Sequence, residues 1–314
     1  MRLAVLIQFH SDPLLVHNRA RLVRALDPDV EVYGAYGGPE HLYDAFGGPL
    51  RALLRPWVQD VYCVRDRTTF WKRFHTDLAV CDWYRGVGRT FDFDALAVLQ
   101  WDLLMLAPLS KLYAGVPEGA VGVTALAPLD SVRDRWPWLR YDGWRSQLES
   151  LLAHLEWEHG FRGEPSASLG PGTLLPRAFL DAYAALDVPE LCHDEVRLPL
   201  YARALGFDVV DNGFYNRWFD PDEERVFNAD KHPIAHAVVR TELARGDGRR
   251  VFHPYVRPFS LTEAGADAGG LRGGLPDVIE RAGSAASRLA ALSRRPLRVA
   301  QRLVSRNHSL PWPG

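Results

Sequence analysis

Apolar residues recur along this chain in two spacings. Leu3–Phe9 is a compact apolar run of strand length. Behind it Leu14, Leu15, Leu22, Val23 and Leu26 fall at spacings that form one buried helical stripe. Val30–Tyr36 reads as a second strand, Val61–Val64 as a short one, Ala95–Gln100 as a third clear strand and Val121–Leu126 as a fourth. Between them the pairs Gly37–Gly38 and Gly47–Gly48 mark loops. Phe70–Tyr84 reads as one helix, aromatic on one side and charged on the other. Strands alternating with helices predict a mainly parallel sheet covered on both faces.

The second half is less regular. Trp136, Trp138, Tyr141 and Trp144 crowd a proline-containing loop, and Trp144–His159 follows as a helix. Residues 165–176, rich in Gly, Pro and Ser, predict a loop or turn. Ala178–Leu186, His193–Leu205 and Ile234–Ala244 read as helices, with strands at Asp208–Asn212 and Val251–Val256. After about Glu263 glycine and alanine take over, as in a linker. Residues 264–314 carry eight Arg against two Asp and one Glu, hence +5 formally. This basic amphipathic tail, broken by Pro296, would contact a membrane peripherally, bind a partner, or pack back on the domain. The expected organisation is one domain over residues 1–262, built from an N-terminal segment (residues 1–126) and a following segment (residues 127–262), and then the tail 263–314.

The 314 residues suffice for one large α/β domain, and the formal charge of −2 gives no global attraction to nucleic acid or anionic membranes. The first residues read as a strand and not a signal peptide. Cys63, Cys81 and Cys192 show no metal-type spacing and fit a reducing, cytoplasmic setting.

Five stretches hold residues suited to chemistry. Strand 95–100 ends in Gln100-Trp101-Asp102, and ligands in parallel sheets sit at the carboxyl ends of strands. A carboxylate there holds a divalent cation, or else Asp102 caps a helix begun by Leu103–Leu106. Asp194 and Glu195 follow His193 at a predicted helix start. They read as a general base, or as a cap and a dipole partner. Upstream, Gly170-Pro171-Gly172 lets a substrate approach the backbone closely. His253, before Pro254, is a metal ligand or a structural histidine. Arg73 and Asp77, four apart, share a helix face as a surface ion pair or reach toward a nucleotide. His10 and Ser11 leave the first strand where a nucleotide usually lies, with no GxGxxG and no Walker loop.

The order of these pieces resembles the GT-A glycosyltransferases over residues 1–260. The resemblance implies a nucleotide-binding parallel sheet, an Asp-x-Asp-type motif, an acidic residue at a later helix start, and a late histidine ligand. It assigns Asp102 and His253 to the metal (Mn2+ or Mg2+), and Asp194, ahead of Glu195, to the acceptor proton. His10, Ser11, Arg73, Asp77, Gln100 and Trp101 fall to the nucleotide-sugar donor. Gln100 stands where the family has its first acid, so Asp102 is the motif's sole carboxylate. The resemblance implies hexosyl or related transfer to a small-molecule or glycan acceptor. A sugar nucleotidyltransferase needs a glycine-rich basic loop after the first strand, which Phe9-His10-Ser11-Asp12-Pro13 lacks. A non-catalytic binding protein on the same scaffold is the other alternative. Trp136, Trp138 and Trp144 are either acceptor-stacking rings or core.

Overall fold

The computed structural model describes residues 1–136, 139, 142–229 and 232–261. The expectations for Trp138, Tyr141 and the tail 263–314 therefore lie outside the described residues. The chain divides into two units, Met1–Gly265 and Ala266–Gly314.

The elements run β1 (Leu3–Phe9), α1 (Pro13–Leu26), β2 (Glu31–Tyr36), α2 (Glu40–Leu54), β3 (Val61–Cys63), α3 (Thr69–Phe74), α4 (Thr76–Gly86), β4 (Ala95–Gln100) and β5 (Leu104–Met105). Next come α5 (Leu109–Leu112), β6 (Val121–Pro128), α6 (Leu129–Val132), α7 (Asp142–His159), β7 (Ser166–Pro176), α8 (Arg177–Ala184) and α9 (Asp194–Ala204). The described elements end with β8 (Val209–Asp211), α10 (Pro221–Glu224), α11 (His236–Leu243) and β9 (Val251–Phe252).

Seven strands form one sheet in the order β3-β2-β1-β4-β7-β6-β8. All pairs are parallel except the two made by β7. The expected architecture, a mainly parallel sheet flanked by helices, is the one observed. Alternation along β1 explains the two covered faces. Ala4 and Leu6 join Leu96 and Val98 under α4, α8 and α9, while Val5, Ile7 and Phe9 join Ala97 and Leu99 under α1. A third apolar cluster joins Leu104 and Phe252, from the β5–β9 pair, to Leu22, Val239, Tyr255 and Phe259.

Three local expectations fail for identifiable reasons. Residues 166–176 form the buried strand β7, not a loop. Gly170-Pro171-Gly172 is absorbed as an irregularity opposite Thr124, where the β6–β7 register shifts. Gly172 there has φ +85, and side chains replace ladder partners. Thr124 Oγ1 donates to Pro171 O at 2.7 Å and Asn212 Nδ2 to Gly172 O at 2.9 Å. Gly47–Gly48 lies inside α2, whose Tyr43 and Leu54 are buried in the core. The expected helix 70–84 is broken at His75 (φ −127, ψ 50) into α3 and α4, which ends the shared face of Arg73 and Asp77.

Candidate active site

The parallel pair β1–β4 keeps register to Gln8↔Gln100. Trp101 N then donates to Gln8 O at 3.0 Å, and Leu103 N to Gln100 O at 3.0 Å. The chain does not enter a helix after Asp102. Leu104–Met105 is a strand, so the capping alternative for Asp102 is overturned. This two-residue strand pairs antiparallel with β9, Leu104 opposite Phe252. Tyr255 N donates to Asp102 O at 2.7 Å. Two distant segments are thereby locked side by side, and His253 Nε2 lies 3.6 Å from Asp102 Oδ1.

His253 is buried, and its Nδ1 lies 2.9 Å from Asn228 O. Since a carbonyl only accepts, Nδ1 carries a proton and Nε2 is the nitrogen turned toward Asp102. Burial works to raise the Asp102 carboxyl, but His253 and, less strongly, His10 outweigh it and hold the acid below its ordinary range. The Arg73 guanidinium is pulled down by burial and pushed back up by Asp102. Among the described residues it makes no hydrogen bond or ion pair, and rests 5.5 Å over the Phe74 ring.

The opposite wall is the start of α9. His193 is its N-cap, with Asp194 and Glu195 in the first turn, where negative charge is favoured. His193 Nδ1 lies 3.2 Å from Glu195 N and 2.7 Å from Asp194 Oδ1. One nitrogen cannot serve both: neutral, it accepts from the amide; protonated, it donates to the carboxylate. Burial disfavours the charge, yet Asp194 and Glu195 outweigh it and raise the His193 pKa. The same burial would raise Asp194, but His193, Thr76 Oγ1 and Arg197 hold its carboxyl below the usual range. Glu195 Oε1 accepts from Gly170 N at 3.1 Å. The Glu195 side chain is 13% exposed against 5% for Asp194.

These groups converge. Arg73, Gln100, Asp102, Asp194, Glu195 and His253 all line one open cleft of about 660 Å³. A smaller one of about 340 Å³ adjoins it, sharing Asp194 and Glu195 and adding Thr76, Asp77 and Gly170. Gly170 abuts the site: a Cβ there would lie 3.4 Å from Gln100 Nε2 and 3.7 Å from Asp194 Oδ2.

Four predicted residues do not line the main cleft. His10 and Ser11 are exposed, and the His10 ring stands edge-on to Trp101, 5.5 Å between centroids. Trp101 is half-buried and packs on the core beneath. Asp77 neither pairs with Arg73 nor faces solvent. Its carboxylate is clamped by Arg197 (Nε at 2.9 Å, Nη2 at 2.5 Å) and by Tyr183 OH at 2.6 Å. Arg197 Nη1 also donates to Leu191 O and Cys192 O, so this buried pair ties down the chain entering α9. Trp136 is core, 1% exposed. Trp144 packs beside Phe74 and His193.

Sequence reasoning missed Thr76 and Asn228, and nothing in their local sequence marks them. Arg197 likewise goes unmarked by its local sequence. Among the described residues no three His, Cys, Asp or Glu side chains gather into a metal-holding group. The described residues also hold no helix long and apolar enough to cross a membrane.

No family model and no curated protein matches this chain. Among solved structures, galactosyltransferase LgtC with donor and acceptor sugar analogs is similar at 15% identity and a TM-score of 0.33, over 59% of this chain and 60% of that one. The mannosyltransferase PcManGT from Pyrobaculum calidifontis, with GDP-Man and Mn2+, is similar at 11% identity and a TM-score of 0.37, over 67% and 54%. Glucosyl-3-phosphoglycerate synthase from Mycobacterium tuberculosis, with phosphoglyceric acid, is similar at 13% identity and a TM-score of 0.34, over 67% and 69%. The chain thus spans about three fifths or less of the first two.

Proposed function

We propose that this cleft transfers a sugar from a nucleoside-diphosphate sugar to a hydroxyl-bearing acceptor, in the manner of a GT-A glycosyltransferase. One observation carries the proposal. Asp102 and His253, which a two-residue strand pair brings within 3.6 Å, share a cleft with Gln100, Arg73 and the Asp194-Glu195 pair. A carboxylate, a histidine with its far nitrogen anchored, an arginine without a carboxylate partner among the described residues and a second acidic group suit a diphosphate leaving group and a nucleophilic hydroxyl.

The residues fit a divalent cation. Among the described residues Asp102 Oδ1 is buried without a hydrogen-bond donor, and metal–ligand bonds of roughly 2.0–2.2 Å let one ion span a 3.6 Å gap. Asp102 and His253 would hold it, and a cation there neutralises diphosphate oxygens as the nucleoside diphosphate departs. Arg73 adds a second positive charge toward the same oxygens. Gln100, neutral where an acid is expected, hydrogen-bonds ribose or sugar hydroxyls.

If configuration inverts, the acceptor oxygen bonds to the anomeric carbon as the carbon–phosphate-oxygen bond breaks. The hydroxyl proton then passes to a carboxylate. We assign it to Glu195 ahead of Asp194. Asp194 is more deeply buried and already engaged by Thr76 and His193, which lowers its basicity.

The test is turnover of a nucleotide-sugar panel with Mn2+ or Mg2+, including slow donor hydrolysis without acceptor. Asp102→Ala is expected to lose at least roughly 100-fold, a typical cost of removing a group that stabilises developing charge. Glu195→Gln is expected to lose transfer while keeping donor binding. Near-normal turnover in Asp102→Ala would sink the assignment. Gln100 favours one other reading, a binding protein without catalysis on this scaffold. In that case the folded wild type binds a nucleotide sugar and turns none over. Cytoplasmic placement and membrane contact by the tail belong to this proposal as well.

A further inference from the structure

Asn228 is joined to His253 by its backbone. Its N–H donates to His253 O at 2.8 Å, and its carbonyl accepts from His253 Nδ1 at 2.9 Å. The residue is 4% exposed. Its side-chain amide uses both protons, on Glu224 O at 3.2 Å and His232 O at 3.0 Å. Those acceptors fix the amide's orientation, because turning it over would set Oδ1 against two carbonyl oxygens. Oδ1 is thereby held buried with no donor among the described residues. Such an oxygen costs roughly 1–3 kcal/mol if nothing meets it. Asp102 Oδ1 is in the same condition, and both residues line the cleft together with His253.

We propose that Asn228 Oδ1 is a third protein ligand of the divalent-cation site formed by Asp102 and His253. This rests on the metal-assisted reading above and goes beyond it. Two side chains are few for such a site, and Gln100 has removed the acid expected to assist Asp102. Asn228 supplies an oxygen from the strand segment bridged to His253, Phe227 opposite His253. A carboxylate oxygen, a carboxamide oxygen and one imidazole nitrogen form a set suited to Mn2+ or Mg2+ and unlike the thiolate-rich sets of softer metals. The carboxamide is neutral, so the site has a single negative charge. It binds the ion weakly until a diphosphate adds its own oxygens.

The experiment uses the full chain and Mn2+ alone. Binding is followed by loss of the free-Mn2+ electron paramagnetic resonance signal. In parallel, each variant's melting temperature is compared with and without Mn2+, so its own stability cancels. Wild type is expected to bind, Asp102→Asn to lose binding, and Asn228→Ala to bind at least about tenfold more weakly, the scale of losing a metal-site partner. Asn228→Ser keeps a donor for His232 O, guards against simple misfolding, and is expected to weaken Mn2+ similarly. If both folded Asn228 variants bind within about twofold of wild type while Asp102→Asn does not bind, Asn228 is only structural and the inference is overturned. If Asp102→Asn binds like wild type, or wild type binds no Mn2+ either alone or with any nucleoside diphosphate, the metal-assisted reading falls and this inference with it.

Discussion

Replacing Arg197 by Met should cost more stability than any other single change in the α9 entry, and it tests the reassignment of Asp77. The Arg197 side chain is fully buried and that of Asp77 is 1% exposed. Two of its hydrogen bonds go to Asp77 and two to the carbonyls of Leu191 and Cys192. The methionine leaves Asp77 charged and buried, with Tyr183 OH as its one remaining side-chain donor among the described residues. Breaking a buried pair this way costs roughly 3–5 kcal/mol. For a domain of this size each kcal/mol shifts the melting temperature by about 2–4 °C, so a fall of roughly 6–20 °C is expected. Differential scanning calorimetry and urea midpoints measure it. The double variant Asp77→Leu/Arg197→Met removes both charges and should recover most of the loss, because an apolar pair of similar volume is often neutral or better. A loss below about 1 kcal/mol for Arg197→Met would refute the reasoning, taking that as the scale of an exposed pair. So would an Asp77→Asn variant with unchanged stability but weakened nucleotide binding, which would return Asp77 to the donor site.

Two further outcomes follow from the same geometry, and a third experiment concerns the tail. Gly170→Ala places a methyl in ordinary contact with Gln100 Nε2 and Asp194 Oδ2. It should fold normally yet lower kcat/KM by filling space beside Gln100 and Asp194 that a bound substrate needs; unchanged kinetics would show that nothing reacts against this strand. The His193–Asp194 pair gives a pH window. The raised His193 pKa stabilises the fold fully below its ordinary 6.5 and ceases to do so as pH rises through the raised value. The lowered Asp194 pKa stabilises above its ordinary 3.8, and that is lost as pH falls through the lowered value. Melting temperature should therefore fall as pH rises from 6.5 in wild type and less steeply in His193→Asn; parallel slopes would remove the pair from the account. Liposome flotation sorts the three readings of the tail: anionic vesicles that carry the full chain and not a truncation at Glu263 would support membrane contact, and equal flotation of both would end that reading.

The strands β1, β2 and β4 were legible because their apolar runs are bounded by polar or glycine residues, and tertiary context did not override them. The strand β7 was not, since Gly170-Pro171-Gly172 carries loop chemistry that β6, Thr124 and Asn212 accommodate from a distance. Asp102 shows the same limit at the site. Its local sequence suits a helix start, and only pairing of Leu104 with Phe252, far along the chain, makes it a strand end beside His253. Arg73 and Asp77 share a face only if the helix continues, and His75 breaks it. Arg197 and Asn228 act through partners that no local pattern encodes. Residue types suited to the chemistry could be picked out, but which of them meet depends on crossovers between remote segments.

The central claim is that Asp102 anchors a metal-dependent nucleoside-diphosphate site. Its most direct test is the melting temperature of wild type and Asp102→Ala against a panel of nucleoside diphosphates, with and without Mn2+. A ligand that binds only the folded state raises it by mass action. One nucleoside diphosphate is expected to stabilise the wild type, strongly only when Mn2+ is present, and to leave Asp102→Ala unmoved. Equal stabilisation of both proteins, or of neither by any member of the panel, would contradict the claim.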